Sequence, residues 1–110
     1  MRENKDKQEY LKLYRALDRR SKEIAGHIKS HEQQEQKKML EKKLECEIKK
    51  AEIIAAIHRI GDTEEEEVLE LRYIKGQSWQ HICTQMHYGE TKVFRIHREA
   101  LKKIKICNQR

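Results

Sequence analysis

Ser78-Trp79-Gln80-His81-Ile82-Cys83-Thr84-Gln85-Met86-His87-Tyr88-Gly89-Glu90-Thr91-Lys92-Val93-Phe94-Arg95-Ile96-His97-Arg98-Glu99-Ala100-Leu101-Lys102-Lys103-Ile104-Lys105-Ile106 reads as two helices joined by a tight turn, the second one basic. Ser78 can cap the first helix by accepting a hydrogen bond from an orphan backbone N–H. Trp79, Ile82, Cys83 and Met86 then fall on one helical face. His87-Tyr88-Gly89 interrupts it, and Gly89 offers backbone angles that other residues avoid. Apolar periodicity resumes at Val93, Ile96, Ala100, Leu101 and Ile104. Two short helices about such a turn, the second longer and cationic, outline a DNA-binding helix-turn-helix. The plainer alternative is an ordinary helical hairpin within a core.

Upstream, Gly61 can end a preceding helix in a left-handed conformation. Asp62 or Thr63 can cap the next helix, and the acidic residues 64–67 sit where the positive end of its dipole favours them. Val68, Leu71 and either Tyr73 or Ile74 form its expected inward face, and Gly76 stops it. Residues 62–106 are therefore expected to be a trihelical unit. A partner-binding role for the acidic run ranks below this helix-start chemistry.

Residues 3–60 contain no proline and one glycine, Gly26. Tyr10, Tyr14, Leu17, Ser21, Ile24 and Ile28 form a heptad seam with one polar position. The pattern fades across residues 30–36, all polar, and returns as Leu40, Leu44, Ile48, Ala51, Ile54 or Ala55, and Ile57 or His58. Two architectures fit: helices 7–29 and 36–60 folded back as an antiparallel hairpin, or one helix of about fifty residues paired with another chain. The polar stretch would interrupt a continuous seam, which favours the hairpin. Either way a lone arm exposes part of its stripe, so a homodimer through residues 7–60 is expected. The expected fold class is all-α: a helical arm, residues 1–61, followed by a helix-turn-helix domain, residues 62–110.

Of the 110 residues 36% are apolar and 40% charged, so the core must be modest. No run approaches the ~20 apolar residues that cross a bilayer, and the first residues lead into no signal-peptide-like apolar segment. The expectation is an intracellular, cytoplasmic protein without a membrane partner. Cys46, Cys83 and Cys107 are dispersed and odd in number, which points to free thiols. His27 and His31 lie one helical turn apart but lack further ligands nearby, so no metal and no cofactor is expected. His81 and Glu90 have no accompanying nucleophile, and no glycine-rich phosphate loop is present, so the chain is not expected to be an enzyme.

The net charge of +6 is uneven. Residues 1–61 carry 16 Lys and Arg against 11 Asp and Glu, residues 62–76 carry 2 against 6, and residues 77–110 carry 7 against 2. The cationic surplus on the second helix suits a phosphate backbone. Between its inward positions, Glu90, Thr91, Lys92, Phe94, Arg95 and Arg98 are expected to point outward. Arg95 is the candidate for a bidentate contact to guanine, and Phe94 for a thymine methyl or sugar. Arg98, Lys102 and Lys105 suit phosphates, while Thr91 and Lys92 suit either role. Phe94 has an alternative, packing against the N-terminal arm. Trp79 and Tyr73 are expected to be core anchors.

Residues 64–106 resemble region four of bacterial sigma factors, beginning with the segment Glu67-Val68-Leu69-Glu70-Leu71-Arg72-Tyr73-Ile74-Lys75-Gly76-Gln77-Ser78-Trp79. With Tyr88 and Arg95-Ile96-His97-Arg98, followed by Ala100-Leu101, the pattern is more closely similar to small phage and prophage proteins of the ArpU/RinA-like class. That resemblance covers about forty residues and implies a helical N-terminal part before a sigma-like helix-turn-helix. It also implies regulation of late phage genes. The family usually has glycine at position 87, serine at 89 and alanine at 83, where this chain has His87, Gly89 and Cys83. The turn glycine is thus displaced by two residues and the serine cap is lost. No sigma region that melts promoter DNA is present.

The leading expectation is a sequence-specific, double-stranded-DNA-binding transcription regulator of phage origin. The alternatives are a phage small terminase subunit, which predicts a ring of many subunits, and a sigma-like module that binds RNA polymerase.

Overall fold

In a computed structural model of the chain, which describes residues 2–27 and 33–106, the architecture is all-α. Five helices follow one another: α1 (Arg2–His27), α2 (Gln33–His58), α3 (Thr63–Leu69), α4 (Trp79–Met86) and α5 (Glu90–Lys103). A π-helical turn, Glu70–Ile74, extends α3. No helix among the described residues is long and apolar enough to cross a membrane. Ile28, His31 and Cys107 lie outside the described residues.

α1 and α2 are rich in Lys, Glu, Gln, Arg and Leu, which lose little rotamer freedom in a helix. They run antiparallel, with Asp18 against Lys50 and Ser21 against Glu47. The arm of a single chain is therefore the hairpin and not the continuous helix. The helices occupy Arg2–His27 and Gln33–His58 in place of the expected 7–29 and 36–60.

The polar position of the α1 seam has a partner built for it. Ser21 is buried, and its Oγ donates to Glu47 Oε2 at 2.6 Å. Lys50 Nζ reaches Asp18 at 2.7 Å and Glu47 at 3.4 Å, and lies over the Tyr14 ring. Burial alone would lower the Lys50 pKa, but the hydrogen bonds it donates to Asp18 and Glu47 outweigh it and leave it raised. Hydrogen bonds from Lys50 and Lys22 lower Asp18, and the hydrogen bond from Ser21 does the same for Glu47.

The phase of the seam differs from expectation. Leu11, absent from the predicted stripe, is completely buried, while Tyr10, Tyr14 and Leu17 are half-buried around it. On α2 the inward face is Cys46, Ile53, Ala56 and Ile57. Leu40, Leu44 and Ile48 face away and remain 53%, 60% and 51% exposed. The reason is rotational. At about 100° per residue, Leu40, Leu44 and Ile48 fall on the side of α2 opposite Cys46, Ile53, Ala56 and Ile57. The C-terminal helices meanwhile pack on Ile53, Ala56 and Ile57 and fix the rotation of α2.

One core cluster draws on both parts of the chain: Leu11 from α1, Ile53, Ala56 and Ile57 from α2, Leu69 and Tyr73, and Ala100, Leu101 and Ile104 at the end of α5. Full burial of side chains of this size stabilises by roughly 1.5–3 kcal/mol each before entropy is counted. A second cluster, Leu71, Ile82 and Val93, joins the last three helices, flanked by Trp79, Cys83, Met86 and Tyr88. The π-helical turn feeds both. Its wider winding lets Leu69 and Tyr73 face the first cluster while Leu71 faces the second. Inward residues are thus Val68, Leu69, Leu71 and Tyr73, with Ile74 half-buried.

Boundaries follow local chemistry. Gly61 has φ 82° and Gly76 φ 70°, the left-handed values that favour glycine. Asp62 is the N-cap of α3, accepting from Glu65 N–H at 3.0 Å, and Glu66 Oε2 reaches back to accept from Gly61 N–H at 2.8 Å.

Candidate nucleic-acid interface

Ser78 caps α4, accepting from His81 N–H at 3.2 Å. The turn that follows departs from the expected chemistry. The left-handed residue is His87, with φ 62° and ψ 37°, and not Gly89. Gly89 has φ −76° in an extended conformation and serves as the N-cap of α5, without a side-chain cap. The left-handed position is 87, two residues before the glycine that the sequence singles out. Histidine, several-fold enriched among non-glycine residues there, occupies it. α5 therefore begins at Glu90, which fixes the rotation of every residue after it.

Val93, Ile96, Ala100, Leu101 and Ile104 are buried, as their spacing predicts. His97 joins them at 7% exposure and was not among the expected inward positions. Its spacing of four from both Val93 and Leu101 already places it on that arc. His97 Nε2 and Tyr73 Oη share a 2.7 Å hydrogen bond. Burial, with Arg72 nearby, pushes the imidazole down to about 4, and burial pushes the Tyr73 phenol up to about 12. The neutral pair is a satisfied core contact, closed to solvent.

Trp79 covers this pair. Its ring meets His97 edge-on at 4.7 Å and Phe94 edge-on at 5.1 Å, while the Arg72 guanidinium lies over it at 4.6 Å. Arg72 Nη1 also donates to the Gln77 carbonyl at 3.0 Å, tying the entrance of α4 to the π-helical turn. Trp79 is an anchor, as expected. Phe94 packs on Trp79 and remains 38% exposed, not buried beneath the arm.

The remaining residues singled out for DNA contact are on the open face of α5, except Lys105, which is exposed just beyond its end. Glu90, Thr91, Lys92, Arg95, Arg98 and Lys102 are all exposed. Lys92 Nζ lies 3.9 Å from the Tyr88 ring centroid, and the Tyr88 hydroxyl donates to Glu64, whose carboxylate raises the phenol pKa. Lys103, also on this helix, turns inward to Glu65 at 2.8 Å, and that hydrogen bond raises its pKa. The acidic run thus has structural work: Glu64 holds Tyr88, Glu65 holds Lys103, and Glu66 holds the Gly61 amide.

The arm adds cations that spacing alone does not connect with α5. The first turns of α1 lie beside its C-terminal half, and Lys7 Nζ donates to the Lys102 carbonyl at 2.9 Å. Between the two helices is an open cleft of about 860 Å³. Chemically, the whole face offers guanidinium and ammonium donors around one apolar ring, a set that can hold anionic groups.

Residues 27–105 match the model of the family described as protein of unknown function (DUF1492). The chain belongs to that family. The DUF1492 match takes in α2 and the whole helix-turn-helix, and its first residue is the last of α1. No curated protein and no solved structure matches the chain.

Proposed function

We propose that this DUF1492 protein is a sequence-specific DNA-binding transcription regulator of phage or prophage origin. The observation that carries the proposal is the division of α5. One side is locked into the core by Val93, Ile96, His97, Ala100 and Leu101, while Thr91, Lys92, Phe94, Arg95, Arg98 and Lys102 line the other, exposed. A helix held from behind, with a cationic open face starting at its N-terminal turn, suits the major groove. The resemblance of residues 64–106 to sigma region four and the ArpU/RinA-like class supports the same reading. Arg95 reads guanine, Phe94 touches a thymine methyl or sugar, and Arg98 and Lys102 bind phosphates.

Two copies pair through the hairpin, residues 7–60, in this proposal. The exposed stripe of Leu40, Leu44 and Ile48 supports pairing, because three large aliphatic side chains on one helix face gain by being covered. Half-sites then follow the two-fold symmetry of the dimer. Sedimentation at micromolar concentration reads this directly, and a monomer there refutes it.

The test of recognition is selection of bound sites from a random DNA pool, followed by two variants on the selected site. Arg95→Ala is expected to cost about 1–3 kcal/mol and to relax preference at one base pair. Lys102→Ala is expected to weaken specific and random DNA alike. Equal losses on both kinds of DNA for both variants defeat the assignment of Arg95.

A further inference from the structure

We infer that the cleft between the first turns of α1 and the C-terminal half of α5 binds one phosphodiester strand of duplex DNA beside the groove that α5 enters, an inference resting on the proposed reading of α5. The cleft is lined by Lys5, Lys7, Lys12, Arg98 and Lys102, against the single carboxylate of Glu9. Five cations drawn from two helices far apart in sequence converge on one open channel. The two helices that carry them are held together: Leu11 is fully buried in the same cluster as Ala100, Leu101 and Ile104. Lys7 bridges the floor by donating to the Lys102 carbonyl, at the negative end of the α5 dipole. That leaves Lys5 and Lys12 on one wall, facing Arg98 and Lys102 on the other.

The charge pattern identifies the occupant. Among the described residues, the Lys12 ammonium has an exposed contact to Glu9 at 3.3 Å, and the Lys102 ammonium an exposed contact to Glu99 at 3.2 Å. Such surface pairs contribute little and exchange readily for a phosphate. The amides of Asn4 and Gln8 line the same channel and can donate to phosphate oxygens. No aromatic side chain lines it, so it lacks the stacking platforms that single strands use. A cationic, non-stacking channel alongside a groove-entering helix fits the sugar-phosphate backbone of a duplex. It adds affinity and orientation without reading sequence.

The experiment measures binding of a random-sequence DNA duplex by the full chain across a salt series. Lys5→Gln/Lys12→Gln is expected to weaken binding. If both lysines contact phosphates, it lowers the slope of log K against log salt by about 1.8. The base preference found by site selection stays unchanged. Arg19→Gln/Arg20→Gln, which removes the same charge from exposed positions further along α1, is the control and leaves the slope in place. Equal effects of the two pairs mean net charge alone and overturn the cleft. An unchanged slope for Lys5→Gln/Lys12→Gln, while wild type binds the duplex, overturns the cleft and leaves the reading of α5 standing. Wild type that fails to bind at about 50 mM salt overturns both. Far-UV circular dichroism of each variant verifies that the helices are retained.

Discussion

Acidification should destabilise this protein through His97, beginning above the range where carboxylates titrate. The imidazole sits at about 4 in the folded state because of burial, against 6.5 when free. The unfolded chain therefore binds the proton more tightly, and protonation favours unfolding. The stability this site contributes is fully present above pH 6.5 and is lost progressively as pH falls toward 4. A difference of about 2.5 pH units corresponds to roughly 3 kcal/mol over the whole window, of which about 2 kcal/mol is lost by pH 5. His97 is almost fully enclosed by Tyr73, Trp79 and the α5 core, so solvent screening takes little from that figure. The quantity to read is a difference, which cancels what the rest of the chain contributes. Tyr73→Phe/His97→Phe replaces both partners of the hydrogen bond with apolar rings of similar shape, a change that can be nearly neutral. Urea unfolding of wild type and the double variant at pH 8, 6.5 and 5, at one protein concentration, gives the comparison. Wild type should lose about 2 kcal/mol more than the double variant between pH 8 and 5. Parallel losses would show that His97 is not held neutral by its surroundings, and the account of this core would fall.

Two substitutions test the turns. Gly76→Ala forces a side chain into the left-handed region and sets its Cβ against the Arg15 guanidinium, which must move. Thermal or urea unfolding should show a loss of about 1–2 kcal/mol, and an unchanged midpoint would contradict the backbone conformation at this site. His87→Gly removes the same kind of cost from an exposed residue at φ 62° and should raise stability by roughly 0.5–1 kcal/mol after glycine's greater unfolded-state entropy is counted. A loss there would mean that the His87 side chain stabilises the turn.

Much of this architecture is legible in the sequence because local chemistry and periodicity agree. Asp62 and Ser78 announce their caps, Gly61 and Gly76 their left-handed stops, and Val93 to Ile104 their buried arc. What misleads is rotation and long-range partnership. Leu40, Leu44 and Ile48 make the more conspicuous stripe on α2. Ile53, Ala56 and Ile57 win the interior because Leu11, Leu69 and the end of α5 are there to meet them. Gly89 draws attention as the flexible residue of the turn, but the left-handed position is His87, the C-cap of α4, whose N–H donates to the Cys83 and Thr84 carbonyls. The outward residues of α5 follow from its inward ones and are legible for that reason. Lys5 and Lys12 are not, since nothing in the sequence reveals that residues about ninety positions apart share a channel.

The shared core gives the hairpin more than a passive part. Leu11, Ile57, Tyr73 and Leu101 belong to one buried cluster, so α1, α2 and α5 move as one body. An arm joined by a loose linker would let two recognition helices adopt many separations and would leave half-site spacing undefined. Here, if two copies pair through the hairpin as proposed, the separation and angle of the two α5 helices follow from that pairing alone. The same rigidity holds Lys5 and Lys12 in register with Arg98 and Lys102, so phosphate contacts from the arm would reinforce only the orientation that α5 requires. Specificity would then come from two layers of different range: Arg95 and Phe94 at the base edges, and the geometry of the packed arm over the length of the operator.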